Sequence, residues 1–396
     1  MRLLHVIASI RAAGGGPAEA VRSLSAVHLR DGHSVEVASL DHPADPEVQN
    51  FPLRLHALGP ACTAYSFAPA FVPWMRQNRT RYDAVIINGL WQHHSFGAWR
   101  ALRGTTTPYY VFPHGMLDPW FKRTFPLKHL KKSFYWPWAE YRVLRDARAV
   151  LFTCEQEKLL APQSFALYRA HPIVTGLGTT PPPTGVDATS FLERYPELRG
   201  KRLLLFMGRL HPKKGCDLLL EAYAATMAKD PAWRLIFAGP DDFNWRQTLE
   251  ARAGSLRIAD RIVWTGMLRD TLKWSAFAAA EVFALPSHQE NFGIAVAESL
   301  ACGVPVLISR EVNIWREIES ANAGLVAPDT VAGTASLLSQ WQQLSDTDRS
   351  AMRQNARQCF RQHFDIEHSA GRLLETIRET ATDDGRRQQA TADKAR

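Results

Sequence analysis

With 396 residues the chain is longer than a single hydrophobic core usually supports, so two domains are expected. Hydrophobic residues make up 46% and charged residues 22%, an ordinary globular balance, and the formal net charge of +8 implies attraction to an anionic partner: a nucleotide diphosphate, a nucleic acid or an anionic lipid. Five scattered cysteines without a C-x-x-C pair argue against a disulfide framework or a structural zinc site, and no apolar stretch is long enough to span a bilayer. With no cleavage pattern after Met1 to Ile10, the expectation is a cytoplasmic protein that is neither secreted nor integral.

Arg2 to Ser9 (RLLHVIAS) reads as a buried strand, Ile10 to Pro17 (IRAAGGGP) as a glycine-rich turn, and Ala18 to Asp31 as a helix with its apolar face at Ala20, Val21, Leu24, Val27 and Leu29. Ser34 to Leu40 supplies a second strand and completes a βαβ unit. Gly14, Gly15 and Gly16 let the backbone approach a phosphate or sugar just ahead of a helix N-terminus, the alternative being a flexible connector. A nicotinamide site would set Glu36 or Asp41 on a ribose, but the glycines do not fit G-x-G-x-x-G, which demotes a dehydrogenase.

Asp83 to Asn88 is another buried strand, with Leu90 to His94 at its carboxyl edge. Tyr109 to Phe112 follows and ends in Pro113-His114-Gly115-Met116, where an imidazole could donate a hydrogen bond to a hydroxyl or carbonyl, or be a satisfied structural histidine. Trp120 to Trp138 interleaves Lys122, Arg123, Lys128, Lys131 and Lys132 with Phe121, Phe125, Phe134, Tyr135, Trp136 and Trp138. That pattern suits the headgroup level of an anionic membrane. It also suits single-stranded nucleic acid, or an amphipathic helix pair packing its aromatics on the first domain. Val150 to Thr153 is the last clear strand of this half, and Cys154 to Glu157 opens a helix. The Pro-, Gly- and Thr-rich run Thr175 to Gly185 marks a linker, with the boundary near Gly185.

The pattern then restarts. Arg202 to Met207 is a buried strand leading through Gly208-Arg209-Leu210-His211-Pro212-Lys213-Lys214-Gly215 into a helix over Asp217 to Ala225. Arg209 offers a bidentate fork for phosphate oxygens and Lys214 a compact charge, unless both are simply solvated. Arg234 to Ala238 and Arg261 to Trp264 are strands ending at Gly239 and at Thr265-Gly266-Met267. Asp241 and Asp242 raise a metal reading, though adjacent loop carboxylates are usually just solvated. Val282 to Pro286 is a strand buried on both faces, Ser287 to Asn291 a polar loop, Ile294 to Ala301 a helix, and Val304 to Ser309 a strand. This unit places Glu290 beside the helix start at Asn291, Phe292, Gly293 and Ile294, where free N–H groups favour an anion. Glu298 follows inside the helix, with seven residues between it and Glu290.

Glu290-Asn-Phe-Gly-Ile-Ala-Val-Ala-Glu298, continued by Ser-Leu-Ala-Cys-Gly-Val-Pro-Val, closely resembles the E-x7-E signature of the retaining family 4 glycosyltransferases, including members that assemble exopolysaccharide. The resemblance implies an α/β fold of two Rossmann-like domains facing a cleft, the B-type glycosyltransferase architecture. It implies a nucleoside-diphosphate sugar as donor substrate, with no cofactor and no metal. Residue by residue it implies a diphosphate clamp at Arg209 and Lys214, and Gly239 and Met267 beside the base and ribose. Glu298 would lie on the ribose hydroxyls, Glu290 on the donor sugar, and His114 against that sugar from across the cleft.

The organisation expected is therefore an acceptor domain over 1–185, a nucleotide-sugar domain over 186–364, a helix over 365–382 crossing back to the first domain, and a disordered tail over 383–396. The function expected is transfer of a hexose, from GDP-mannose or a similar donor, to a lipid-linked or other glycan in polysaccharide biosynthesis. The protein would be cytoplasmic, with Trp120 to Trp138 offering a peripheral contact to an anionic membrane face and no nucleic-acid partner. A sugar-nucleotide epimerase of the same fold and a non-catalytic anionic-surface binder are the alternatives.

Overall fold

In the computed structural model residues 1–11, 15–241 and 244–394 are described, with side chains described as far as Ala381. The chain divides into two α/β units, 1–178 with 366–396, and 179–365. The division falls ahead of Gly185 because Thr179 already belongs to the second unit: its N–H donates to Phe364 O at 2.9 Å and it bridges Asp365.

The first unit is built on seven parallel strands: β1 (Arg2–Ile7), β2 (Ser34–Ser39), β3 (Arg54–Ala57), β4 (Ala84–Asn88), β5 (Tyr109–Phe112), β6 (Ala149–Phe152) and β7 (Pro172–Val174), in the order β3-β2-β1-β4-β5-β6-β7. The apolar runs of β4 and β6 are buried along their whole length, as strands covered on both faces require. β3 and β7 were not expected, because each is a short, half-exposed edge strand without an apolar run. Strand order reverses between β1 and β4, so the crevice suited to a ligand lies outside their carboxyl ends.

The second unit repeats the plan with β8 (Arg202–Met207), β9 (Trp233–Ala238), β10 (Ile262–Gly266), β11 (Val282–Leu285), β12 (Val306–Ser309) and β13 (Gly324–Ala327), ordered β10-β9-β8-β11-β12-β13 and again parallel. Here the reversal lies between β8 and β11, which brings together the turn after β8 and the loop after β11. The helical stretch Val331 to Cys359 is two helices, Val331–Gln343 and Asp346–Cys359. Ser345 breaks it, its side chain accepting from Asp348 N to cap the second helix.

The last helix, Ile366–Lys394, packs on the first unit. His28 Nε2 lies 3.0 Å from Ala370 O, the Tyr110 hydroxyl 2.7 Å from Thr380 Oγ1, and Leu373 and Ile377 are buried. The tail expected to be disordered, 383–396, has its side chains outside the described residues. Truncating a fully buried leucine removes its transfer free energy and leaves a cavity, so Leu373→Ala is expected to cost about 2–5 kcal/mol of unfolding free energy. Urea denaturation followed by circular dichroism checks this; an unchanged midpoint would mean the helix does not contribute to the first unit's core.

Candidate functional site

The turn after β8 is clamped by backbone on both sides. Gly239, at the end of β9 with φ 147°, lies so close to Gly208 that a side chain would overlap the Gly208 carbonyl oxygen. Gly208 N donates to Ala238 O and Leu210 N to Pro240 O, each at 2.9 Å. On the other side Gly215, at φ 67°, presses on the Pro286 carbonyl beyond β11, and His288 N donates to Lys213 O at 2.8 Å. Only glycine allows both approaches, and together they hold Arg209 and Lys214 against the loop after β11.

That loop is pinned in turn. Glu290 N donates to Glu311 O at 2.8 Å and Asn313 N to Glu290 O at 2.9 Å, a short bridge to the segment leaving β12. Gly293 (φ 74°) starts the helix Ile294–Ala301, with Glu290 Cγ against it. The Glu290 carboxylate consequently meets the Lys214 ammonium in an ion pair, both side chains largely buried. Burial, then the Lys213 and Arg209 charges, pull the pKa of Lys214 down to about 7, so the ammonium depends on the Glu290 carboxylate beside it to stay charged. Arg209 itself is exposed. The edge thus gathers two cations, a carboxylate and a helix N-terminus, a set suited to an anionic group carrying hydroxyls.

The remaining expected residues of this unit lie as follows. Asn291 Oδ1 accepts from Asn313 Nδ2 at 3.4 Å, and Ile294 begins the helix, half-buried. The Phe292 side chain is buried with its ring edge on Phe364, 5.7 Å between centroids, so its part in any ligand contact is confined to its backbone. Glu298 is buried and paired with Lys273 Nζ at 2.7 Å. Sequence reasoning missed Lys273, whose partner becomes visible only once the helix Asp270–Ala279 is placed. Gly239 and Met267, the latter 56% exposed, line a cavity of about 260 Å³ with Pro240, Arg246, Trp264 and Gly266. Trp264 stacks on Phe237 at 4.7 Å there, giving the cavity an aromatic wall. Asp241 accepts from Trp245 N at 2.7 Å, a helix-start role, and Asp242 lies outside the described residues. Among the described residues no group of three or more His, Cys, Asp or Glu is placed to hold a metal.

In the first unit His114 follows β5 in a left-handed backbone conformation (φ 50°), its Nε2 3.2 Å from Asn88 Oδ1 at the end of β4. Burial pulls its pKa down to about 4, so the imidazole is neutral near pH 7. Two buried glutamates that sequence reasoning did not single out shape this edge. Glu157 accepts from Gly115 N at 2.6 Å and from Thr153 N at 2.8 Å, and Glu140 accepts from Trp91 N at 2.7 Å. Gly15 (φ 71°) caps the helix Gly16–Arg30 and has open space where a side chain would sit, while Gly14 lies outside the described residues. Glu36 is held by His56 and Tyr82, and Asp41 by Ser9 and Ile10 N, so neither carboxylate is left over for a nicotinamide ribose. The five cysteines are free thiols.

Two family models cover most of the chain: glycosyl transferases group 1 over 189–359, and a glycosyl transferase 4-like domain over 15–176. Residues 189–359 belong to the group 1 glycosyl transferases and residues 15–176 to the glycosyl transferase 4-like domains. The family 4, B-type kinship read from the E-x7-E segment holds with them, as does the fold of two parallel-sheet α/β domains. This glycosyltransferase is 32% identical over 200 residues to a D-inositol 3-phosphate glycosyltransferase of Thermomonospora curvata, a match spanning 45% of this chain and 44% of the relative. It is 25% identical over 388 residues to the GDP-mannose:cellobiosyl-diphosphopolyprenol alpha-mannosyltransferase of Xanthomonas campestris, covering 95% of this chain and 96% of that one. The fold matches that of Anabaena HepE, crystallised with UDP and glucose, at a TM-score of 0.75 and 19% identity, over 96% of this chain and 100% of the other.

The buried imidazoles of the glycosyltransferase give its stability a pH dependence. His5 is held at about 3, and His94 and His114 at about 4, chiefly by desolvation. Each lies below its unfolded value of 6.5, so the unfolded chain binds more protons, and stability present above pH 6.5 is lost as pH falls toward 4. Glu140, raised to about 7 by burial, works in the opposite direction but is a single group. The thermal midpoint is therefore expected to drop by several degrees between pH 7 and pH 5. A midpoint that rises over that interval would contradict the neutral, buried state of these histidines.

Proposed function

We propose that this glycosyltransferase is a retaining hexosyltransferase. In this reading it moves a hexose from a nucleoside-diphosphate sugar, GDP-mannose or a close analogue, to a lipid-linked glycan during polysaccharide assembly in the cytoplasm. The observation that carries the reading is the meeting of Arg209, Lys214 and Glu290 at one sheet edge, beside the start of the helix Ile294–Ala301. The activity of the Xanthomonas relative, aligned along nearly the whole chain, supports the choice of donor and acceptor class.

In the proposed reaction the sugar C1–O bond to the diphosphate breaks while a bond from C1 to the acceptor oxygen forms on the same face. The acceptor proton passes to the departing phosphate oxygen. The main electrostatic demand is the charge growing on that phosphate. Arg209, Lys214 and the N–H groups following Phe292 and Gly293 would meet it, already aimed by the clamped backbone. Glu290 would hold sugar hydroxyls and stay close to the positive charge developing at C1. Glu298, steadied by Lys273, would take the ribose hydroxyls, and the cavity at Gly239 and Met267 the base. His114, neutral and donating its Nε2–H to Asn88 Oδ1, would accept at Nδ1 from a sugar hydroxyl. No step requires a metal or a cofactor. An epimerase would release nucleotide with no acceptor present, and a non-catalytic binder of anionic surfaces would have no use for the pair of glutamates.

With purified protein, a matching nucleotide hexose and a polyprenyl-diphosphate glycan, Arg209→Ala and Glu290→Gln are each expected to lower turnover by about 10²–10³-fold with an unchanged circular dichroism spectrum. Near-normal turnover in Glu290→Gln would remove that residue from the site. Nuclear magnetic resonance of the product should show the donor's anomeric configuration, and an inverted product would refute retention.

A further inference from the structure

The helix Pro126–Tyr135 in the first unit is built inside out, none of its residues being buried. Three of its polar side chains face the protein: His129 stacks on Phe165 at 4.5 Å, Lys132 sits 4.1 Å from the Trp91 ring centroid, and the Tyr135 hydroxyl bonds that of Tyr65 at 2.6 Å. Its apolar side chains face solvent. Leu127 is 78% exposed, Leu130 55%, Phe134 74% and, just beyond, Trp138 69%. Spacings of three, four and seven residues put the first three in one stripe, with Trp138 continuing it. A soluble helix normally buries such a stripe, and four large exposed side chains in a row mark a surface that a partner covers.

Charge selects the partner. Lys122, Arg123, Lys128 and Lys131 are exposed along the stripe, and no Asp or Glu occurs between positions 119 and 139. A second copy of the chain in a two-fold dimer would set these cations against each other with no acid on the ridge to neutralise them. A bilayer carrying anionic headgroups satisfies both features, since the apolar side chains enter the acyl boundary while the lysines stay at phosphate level. Among the described residues no helix is long and apolar enough to cross a membrane, so the contact is a surface one. We propose that the exposed face Leu127–Leu130–Phe134–Trp138, with Lys128 and Lys131, docks the protein on an anionic membrane surface. This stands apart from the donor site of the second unit, and its test does not depend on catalysis.

The test is flotation of the full chain with vesicles of phosphatidylcholine containing phosphatidylglycerol, against vesicles of phosphatidylcholine alone. The wild type is expected to float with the anionic vesicles and to remain free with the neutral ones. Leu130→Ser with Phe134→Ser, and separately Lys128→Glu with Lys131→Glu, are each expected to weaken partition about tenfold or more. Their thermal midpoints should not change, because the substituted side chains are exposed. Three outcomes overturn the proposal: no flotation of the wild type, equal flotation of either variant, or a lipid-free dimer by analytical ultracentrifugation that the same substitutions dissociate.

Discussion

The contact around which the candidate site of the second unit is arranged is the ion pair between Lys214 and Glu290, held in place by backbone rather than by either side chain. Gly215 against Pro286 fixes where the lysine emerges, and the hydrogen bonds of Glu290 to Glu311 and Asn313 fix the carboxylate. A largely buried ammonium is costly to keep charged without a partner, and the carboxylate supplies one while no ligand is present. In the proposed complex a diphosphate would bring more negative charge to the same ammonium, so that the lysine would be shared rather than stripped from its partner. The glutamate would then remain within reach of the sugar that the diphosphate carries.

The first unit handles its polar groups differently. His114 is kept neutral by burial and aimed through Asn88, while Glu157 holds the adjoining Gly115 amide. A neutral imidazole in a fixed position, its Nε2–H on Asn88, can accept from a hydroxyl without adding charge. Glu140 plays the same positioning part for the Trp91 backbone, whose φ of 74° depends on that hydrogen bond and the packing around it.

Much of this was legible in the chain itself. β8 and β11 are apolar runs, the first closed by Gly208, the helix after β11 carries apolar residues at helical spacing ahead of Gly303, and Glu290 and Glu298 stand at a spacing that survives without tertiary information. What escaped were features whose meaning arises only on folding. β3 and β7 are edge strands that need no apolar run, Lys273 acquires its partner from a helix packed beside it, and Glu140 and Glu157 look like ordinary helix-start acids until their buried hydrogen bonds are drawn. The helix Pro126–Tyr135 is the instructive case. Its amphipathic pattern is plain in sequence, but periodicity gives the two faces and not which one turns inward. Here His129, Lys132 and Tyr135 take the inner side.

The account stands or falls on where a nucleoside diphosphate binds, and a crystal structure of the complex measures that directly. The phosphates should lie at hydrogen-bond distance, about 3 Å, from the Arg209 guanidinium and Lys214 Nζ, with the base in the cavity beside Gly239 and Met267. Phosphates bound elsewhere, with the Lys214–Glu290 pair undisturbed and Arg209 still turned to solvent, would contradict it.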